Sequence, residues 1–73
     1  MIRIDYVPDE TELAKPKDRR QGRRHMFVNP NHIVSVKPVC VDGCRMRLGR
    51  NAWTRVYSVD ESAESLRARL EAS

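Results

Sequence analysis

The sequence predicts a small α+β domain, in which a bent antiparallel sheet or open barrel of about five strands is followed by a C-terminal helix. Residues 25–59 hold most of the Val, Ile, Phe, Trp and Tyr of the chain, in short runs. Turn-forming residues separate these runs at 29–31, 42–43 and 49–51. A chain of 73 residues is expected to form a single domain covering 1–73.

The first strand is predicted at the N-terminus, where apolar and charged residues alternate over 1–7 and Pro8 ends the run. Residues 8–24 then combine dense charge with few apolar side chains. Such a composition cannot bury enough surface to order itself. We therefore expect an exposed, flexible basic loop inserted between the first and second strands, and loops of this length are commonly functional or disordered.

The second strand is expected at 25–28, followed by a turn at 29–32 that contains asparagine and proline. The third strand covers 33–39, and simple alternation places Val34 and Val36 on the same face. Pro38 cannot donate a ladder hydrogen bond, so this strand ends there, bulges or lies at an edge of the sheet.

The fourth strand is predicted at 45–48, after a hairpin turn in which Gly43 is available for positive φ. Its apolar residues face inward and its arginines face outward. The fifth strand covers 53–59, where Trp53 and Tyr57 share a face and are most simply interpreted as core residues beneath the helix.

A short amphipathic helix is predicted to close the chain. Asp60 is the expected N-cap, and acidic residues follow it where the helix dipole favours them. Ala63, Leu66 and Leu70 recur at i, i+3 and i+7 and form a narrow apolar stripe. This stripe suits docking onto the sheet.

Positive charge is concentrated in the inserted loop, although the chain as a whole carries only +4. The six cations of this cluster are candidate partner-binding residues: Lys15, Lys17, Arg19, Arg20, Arg23 and Arg24. They could contact nucleic-acid phosphates, attract an acidic protein partner, or simply form a solvated loop. No aromatic side chain lies among them to stack on bases.

Arg45, Arg47 and Arg50 are predicted to lie together on the outward face of the sheet. If Trp53 is exposed rather than buried, it becomes the natural anchor of an interface that these arginines surround. Trp and Arg dominate the energetics of protein interfaces. These four residues complete the set of candidate partner-binding residues.

Four short motifs of the chain form a recognisable pattern: Met1-Ile2, an aromatic residue before an Asn-Pro turn and an Ile-x-x-Val strand at 27–36, Met-Arg-Leu at 46–48, and Val-Asp-Glu-Ser-Ala-Glu at 59–64. In this pattern the chain resembles the small flagellar and swarming-motility family called SwrD or FlbD-like. The resemblance implies a small non-enzymatic accessory protein, and small bacteriophage proteins share this pattern. Residues 8–24 have no counterpart in the pattern.

A shorter segment, residues 41–52, matches a Val-x-Gly-x-x-x-Arg-Leu-Gly-x-Asn-Ala pattern. In this segment the chain is similar to the CsrA family of RNA-binding translational regulators. That family has an RNA-contacting arginine on its first strand, where this chain has Tyr6, and a basic pair after its last strand, where this chain has Asp60-Glu61. This resemblance implies RNA binding and ranks below the first.

The sequence gives little support for a metal site, a disulfide or a catalytic site. Cys40 and Cys44, with His25 and His32, do not match a common zinc module. Reduced, partly buried thiols are favoured over a cross-turn disulfide. No phosphate-binding loop or catalytic arrangement is evident, so we expect no enzymatic activity and no cofactor.

The predicted role is thus an accessory protein that acts by protein–protein interaction or self-assembly, related to a flagellar or a phage accessory factor. The alternative is a nucleic-acid-binding regulator that uses the basic loop and the outward arginines. A domain this small usually needs a staple or a partner, so a homo-oligomer or a protein partner is expected, and an acidic protein is one candidate for that partner. No apolar run is long enough to span a bilayer, and the default location is the cytoplasm.

Overall fold

The computed structural model describes residues 1–73 and contains five strands and two helices. In chain order the elements are β1 (Ile2–Val7), α1 (Glu10–Leu13), β2 (Arg24–Val28), β3 (Ile33–Cys40), β4 (Gly43–Arg50), β5 (Trp53–Val59) and α2 (Ala63–Ala72). The strands form one open antiparallel sheet in the order β2-β1-β5-β4-β3. The predicted α+β class, with about five antiparallel strands and a C-terminal helix, is therefore confirmed.

The sheet consists of two well-paired parts with a short junction between them. β3, β4 and β5 pair along most of their length, and so do β1 and β2. β1 and β5 share only two residue pairs, Tyr6 with Val59 and Val7 with Ser58. The junction therefore leaves most of β1 without a partner on the β5 side.

The core lies between the sheet and α2. The helix buries Ala63 and Leu66 and places Leu70 at the border of the core, as the i, i+3, i+7 pattern predicts. Nine buried residues form the main cluster: Ile4, Val28, Val36, Cys44, Met46, Leu48, Val59, Ala63 and Leu66. This is a small core, so interactions outside it matter for stability.

α2 is fixed to the sheet by two arginines that bond to strand carbonyls. Arg67 donates to the carbonyl oxygen of Val36 on the edge strand β3, at 2.5 Å. Arg69 donates to the carbonyl oxygen of Arg3, in the part of β1 that has no partner on the β5 side. The helix begins with Ser62, whose hydroxyl accepts from the Ser65 backbone N–H, so the prediction of Asp60 as N-cap is wrong.

A bulge in β3 reverses the predicted orientation of one valine. Ile33 pairs with Leu48 and Val36 pairs with Met46, but the register shifts between Ile33 and Ser35. Because the shift adds a residue, Val34 points away from the core, and 61% of it is exposed. The prediction that Val34 and Val36 share a face is therefore wrong.

Residues 8–24 differ from the exposed, structureless loop that composition predicts. Asp9 caps α1 by accepting from the Glu12 backbone N–H, and a 3-10 turn follows at Lys17–Arg19. Leu13 is buried against Gly43, where a Cβ atom would lie 2.9 Å from the leucine side chain. Gly43 thus permits a close approach of α1 to the sheet, rather than supplying the positive φ expected of it.

The second buried residue of this segment is an arginine. The side chain of Arg20 is only 1% exposed, and its five N–H groups meet five oxygen atoms. These are the backbone carbonyls of Leu13, Lys15 and Asp42 and the carboxylates of Asp42 and Asp60, the last at 2.6 Å. Arg20 therefore cannot serve as the partner-binding residue that the sequence suggests, because its hydrogen-bonding capacity is used inside the fold.

Neighbouring groups extend this contact into a network. The Asp60 side chain, 2% exposed, also accepts from Arg23, and the Cys40 thiol lies 3.4 Å from Asp42 Oδ1. Burial disfavours the charge on Arg20, but hydrogen bonds to the Asp60 and Asp42 carboxylates outweigh it and raise its pKa. The Arg20 guanidinium and then the Cys40 thiol hold the pKa of Asp42 below its ordinary value.

Replacing Arg20 by alanine should destabilise the fold severely. The change leaves the Asp60 carboxylate buried without its main partner, and breaking a buried ion pair in this way costs about 3–5 kcal/mol. The free energy of unfolding, measured by urea titration, should fall by that amount. Arg19→Ala, an exposed neighbour without a side-chain partner, should change it by less than about 0.5 kcal/mol. Equal effects of the two variants would contradict the structural role of Arg20.

The ion pair between Arg20 and Asp42 should also make the stability of the fold depend on pH. A carboxyl group whose pKa is depressed in the folded state adds stability above its unfolded pKa, near 3.8, and loses it as the pH falls through the folded value. Asp42→Asn should therefore be less stable than the parent protein at neutral pH, and the difference should shrink in acid. Thermal unfolding of both proteins between pH 2 and 7 tests this; a difference independent of pH would refute it.

Candidate interaction surfaces

The structure divides the predicted basic cluster into engaged and free cations. Arg20 and Arg23 belong to the buried network, and Lys15 forms a salt bridge with Glu12. The cluster is therefore not a single binding surface. The remaining cations of the segment are exposed and make no salt bridge: Lys17, Arg19 and Arg24.

The strand register separates the arginines that the sequence placed on one face. Arg47 pairs with Val56, whereas Arg50 pairs with Trp53, and paired residues of antiparallel strands point to the same side. Arg45 and Arg47 lie on the side away from α2, which we call the outer face. Arg50 and Trp53 lie on the opposite side, the helix-side face. The expectation that all three arginines surround Trp53 is therefore wrong.

One end of the outer face is covered by the inserted segment. Glu10 of α1 forms a salt bridge with Arg45 at 2.5 Å, and Leu13 packs on Gly43. The rest of the outer face is open. There Val34 and Val56 are 61% and 51% exposed.

The helix-side face is open around Trp53, which is 47% exposed. The prediction of Trp53 as a core residue is wrong because α2 bonds to β3 and β1 and leaves the β4–β5 turn uncovered. Trp53, Arg55 and Tyr57 line a shallow groove on this face. Arg55 is not among the residues that the sequence singles out, and its i, i+2 spacing from Trp53 and Tyr57 is the signal that could have identified the groove.

A second groove continues the first across the junction with β1. The rings of Tyr57 and Tyr6 are in edge-to-face contact with centroids 5.3 Å apart. Tyr6 lines a groove with Pro8, Gly22 and Arg24, and it pairs with Arg24 across the strands. The link between the two grooves could not be found from the sequence, because it depends on the pairing of β1 with β5.

The two cysteines occupy different environments and are both free thiols. Cys44 is buried in the main core, and this burial raises the pKa of its thiol to about 11. Cys40 is half-buried and lies 3.4 Å from the Leu13 carbonyl oxygen. No group of three or more His, Cys, Asp or Glu side chains is placed to hold a metal ion.

Comparison of the chain with protein-family models, with curated proteins and with solved structures finds no match. Neither helix is long and apolar enough to cross a membrane. The chain is thus a small α+β domain with a β4–β5 hairpin that is exposed on both faces. Valine and arginine side chains are exposed on the outer face, and tryptophan and arginine side chains are exposed on the helix-side face.

The Cys44 thiol should resist alkylation in the folded protein. The thiolate is the reactive species, and a pKa of about 11 leaves very little of it at pH 8. Iodoacetamide should modify at most Cys40 in the native protein and both cysteines in urea. Peptide mapping identifies the modified residue, with Cys40→Ser as the control. Rapid native-state labelling of Cys44 would show that the main core opens readily.

Proposed function

We propose that this protein is a non-enzymatic accessory module that binds another protein through the open part of its outer face. One observation carries the proposal: exposed valines on this face are flanked by cations that have no partner within the chain. An apolar centre with a polar rim is the usual arrangement of a protein–protein interface.

The apolar centre is continuous across three strands. A Cβ atom at Gly49 would lie 2.8 Å from a Val34 methyl group and 3.3 Å from the Thr54 methyl group, so both side chains lie close above the bare glycine. Val56 lies two residues beyond Thr54 on the same face. The result is a flat, pre-formed patch on paired strands, which needs little ordering on binding.

The rim is basic and indicates the charge of the partner. Lys37 and Arg47 are exposed and form no salt bridge, whereas Arg45 is paired with Glu10. A partner with acidic side chains around an apolar centre would complement this rim and gain a faster association rate. A second copy docking through the same patch would place like charges together, so a different protein is the favoured occupant. Any homo-oligomer should then use another surface.

The resemblance to the SwrD or FlbD-like family supports an accessory role in flagellar motility or in a phage. The residues that carry it lie mainly in strands and turns, so they support the scaffold more strongly than a particular partner. Under this proposal the module acts in the cytoplasm, where the free thiols stay reduced.

Site-specific crosslinking tests the outer face. A photoreactive amino acid at Val56 should capture a defined protein in bacterial cells that express the chain, whereas the same residue at Glu71, exposed on α2, should not. The captured protein, identified by mass spectrometry and purified, should bind Val56→Asp and Arg47→Glu at least tenfold more weakly than the parent chain, measured by titration calorimetry.

Arg55→Glu is the matched control, because it places the same charge change on the opposite face of the same hairpin. It should leave the affinity within about twofold. Absence of a protein captured specifically at Val56, or equal weakening by Arg55→Glu, would overturn the proposal.

A further inference from the structure

We propose that the helix-side face carries a second site, which binds a short segment of single-stranded nucleic acid. The site is a row of side chains that combines three arginines with three aromatic residues. From the hairpin tip across to β2, this Arg–aromatic row contains Arg50, Trp53, Arg55, Tyr57, Tyr6 and Arg24. The outer-face proposal uses none of these residues.

Strand pairing makes the row continuous. Arg50 pairs with Trp53, and Arg55 and Tyr57 follow Trp53 at alternate positions, so all four lie on the same face. The Tyr57 ring meets the Tyr6 ring at 5.3 Å between centroids. Tyr6 in turn pairs with Arg24, which completes the row at β2.

The charge of the row is entirely positive. Arg24, Arg50 and Arg55 make no salt bridge and no side-chain hydrogen bond within the chain, in contrast to the arginines of the buried network. All three are exposed. No acidic residue lines either groove along the row. Three free guanidinium groups are therefore available to an anionic ligand.

The aromatic residues distinguish a nucleic acid from other anions. Trp53 is 47% exposed, and Tyr57 and Tyr6 are half-buried at the floor of the grooves. Proteins that bind single strands combine cations along the backbone with aromatic rings on which successive bases stack. An acidic peptide would pair with the arginines but would leave the three aromatic rings without a role.

The dimensions fit a short single strand. The row runs about six residues along the strands and across three strand spacings, so at about 3.3 Å per residue and about 4.8 Å between strands it extends for roughly 25 Å. This length suits a site of about four nucleotides, the lower end of the range for single-strand-binding domains. A duplex keeps its bases stacked on one another, so it cannot offer them to the rings.

Fluorescence anisotropy of a labelled uridine octanucleotide tests the proposal directly. The oligonucleotide should bind the full chain at low salt and should quench Trp53, the only tryptophan of the protein. With three phosphate contacts, log K should fall against log salt with a slope of about −2. An equal concentration of duplex RNA should compete at least tenfold less well.

Matched variants separate the row from general positive charge. Arg55→Gln and Arg47→Gln remove the same charge from two exposed, unpaired arginines on opposite faces of one hairpin. Arg55→Gln should weaken binding severalfold and make the salt slope less steep by about 0.7, whereas Arg47→Gln should change neither appreciably. Trp53→Ala should weaken binding by roughly 5- to 100-fold, and Trp53→Phe, which keeps a ring, by less.

Three results would overturn the proposal. The first is no anisotropy change at 100 μM protein and low salt. The second is equal weakening by Arg47→Gln and Arg55→Gln, which would indicate non-specific attraction. The third is competition by polyglutamate as strong as by unlabelled oligonucleotide, which would identify an acidic polypeptide as the ligand. The outer-face crosslinking result is independent of all three, since it concerns the other side of the sheet.

Discussion

The buried guanidinium of Arg20 is the contact on which the arrangement of the molecule depends. Its side chain bonds to the end of α1, to the β3–β4 turn at Asp42, and to Asp60 between β5 and α2. These segments are distant in sequence, and the main core contains no residue of the inserted segment 8–24. A guanidinium taken from water carries a desolvation penalty of several kcal/mol, which is offset only when every donor is satisfied, as here. Because the geometry must be complete, the network fixes one arrangement of the inserted segment.

This arrangement determines which surfaces stay open. With its end held by Arg20, α1 lies over one end of the outer face, where Leu13 covers Gly43 and Glu10 neutralises Arg45. On the other face α2 is held by carbonyls of β3 and β1, away from the β4–β5 turn. The two helices thus leave the hairpin tip uncovered on both sides. Trp53 and the two exposed valines lie in these uncovered regions, and the two proposed sites are built on them.

The fold was predictable from local patterns, but the sites depend on contacts between distant residues. Apolar runs, mostly alternating and bounded by turn residues, located all five strands, and the i, i+3, i+7 spacing located α2, because these patterns reflect buried faces. Composition failed for residues 8–24, since it counts apolar residues and cannot show that Arg20 meets Asp42 and Asp60. Strict alternation failed at Val34, where a bulge shifts the register. The exposure of Trp53 depends on where α2 docks, and the sequence near Trp53 does not indicate where the helix packs on the sheet.

Ion pairs within the chain explain why a modest net charge yields two basic surfaces. The chain carries only +4, but the carboxylates of Asp42, Asp60, Glu10 and Glu12 are engaged in internal ion pairs. Other acids lie on α2, as Glu64 and Glu71 do, away from the hairpin. The arginines of the hairpin tip are consequently left without counter-charges. Sheet register then divides them between an apolar patch on one face and an aromatic row on the other. Because the two sets point in opposite directions, a ligand on one face would leave the other face accessible, and the two binding events can be tested separately.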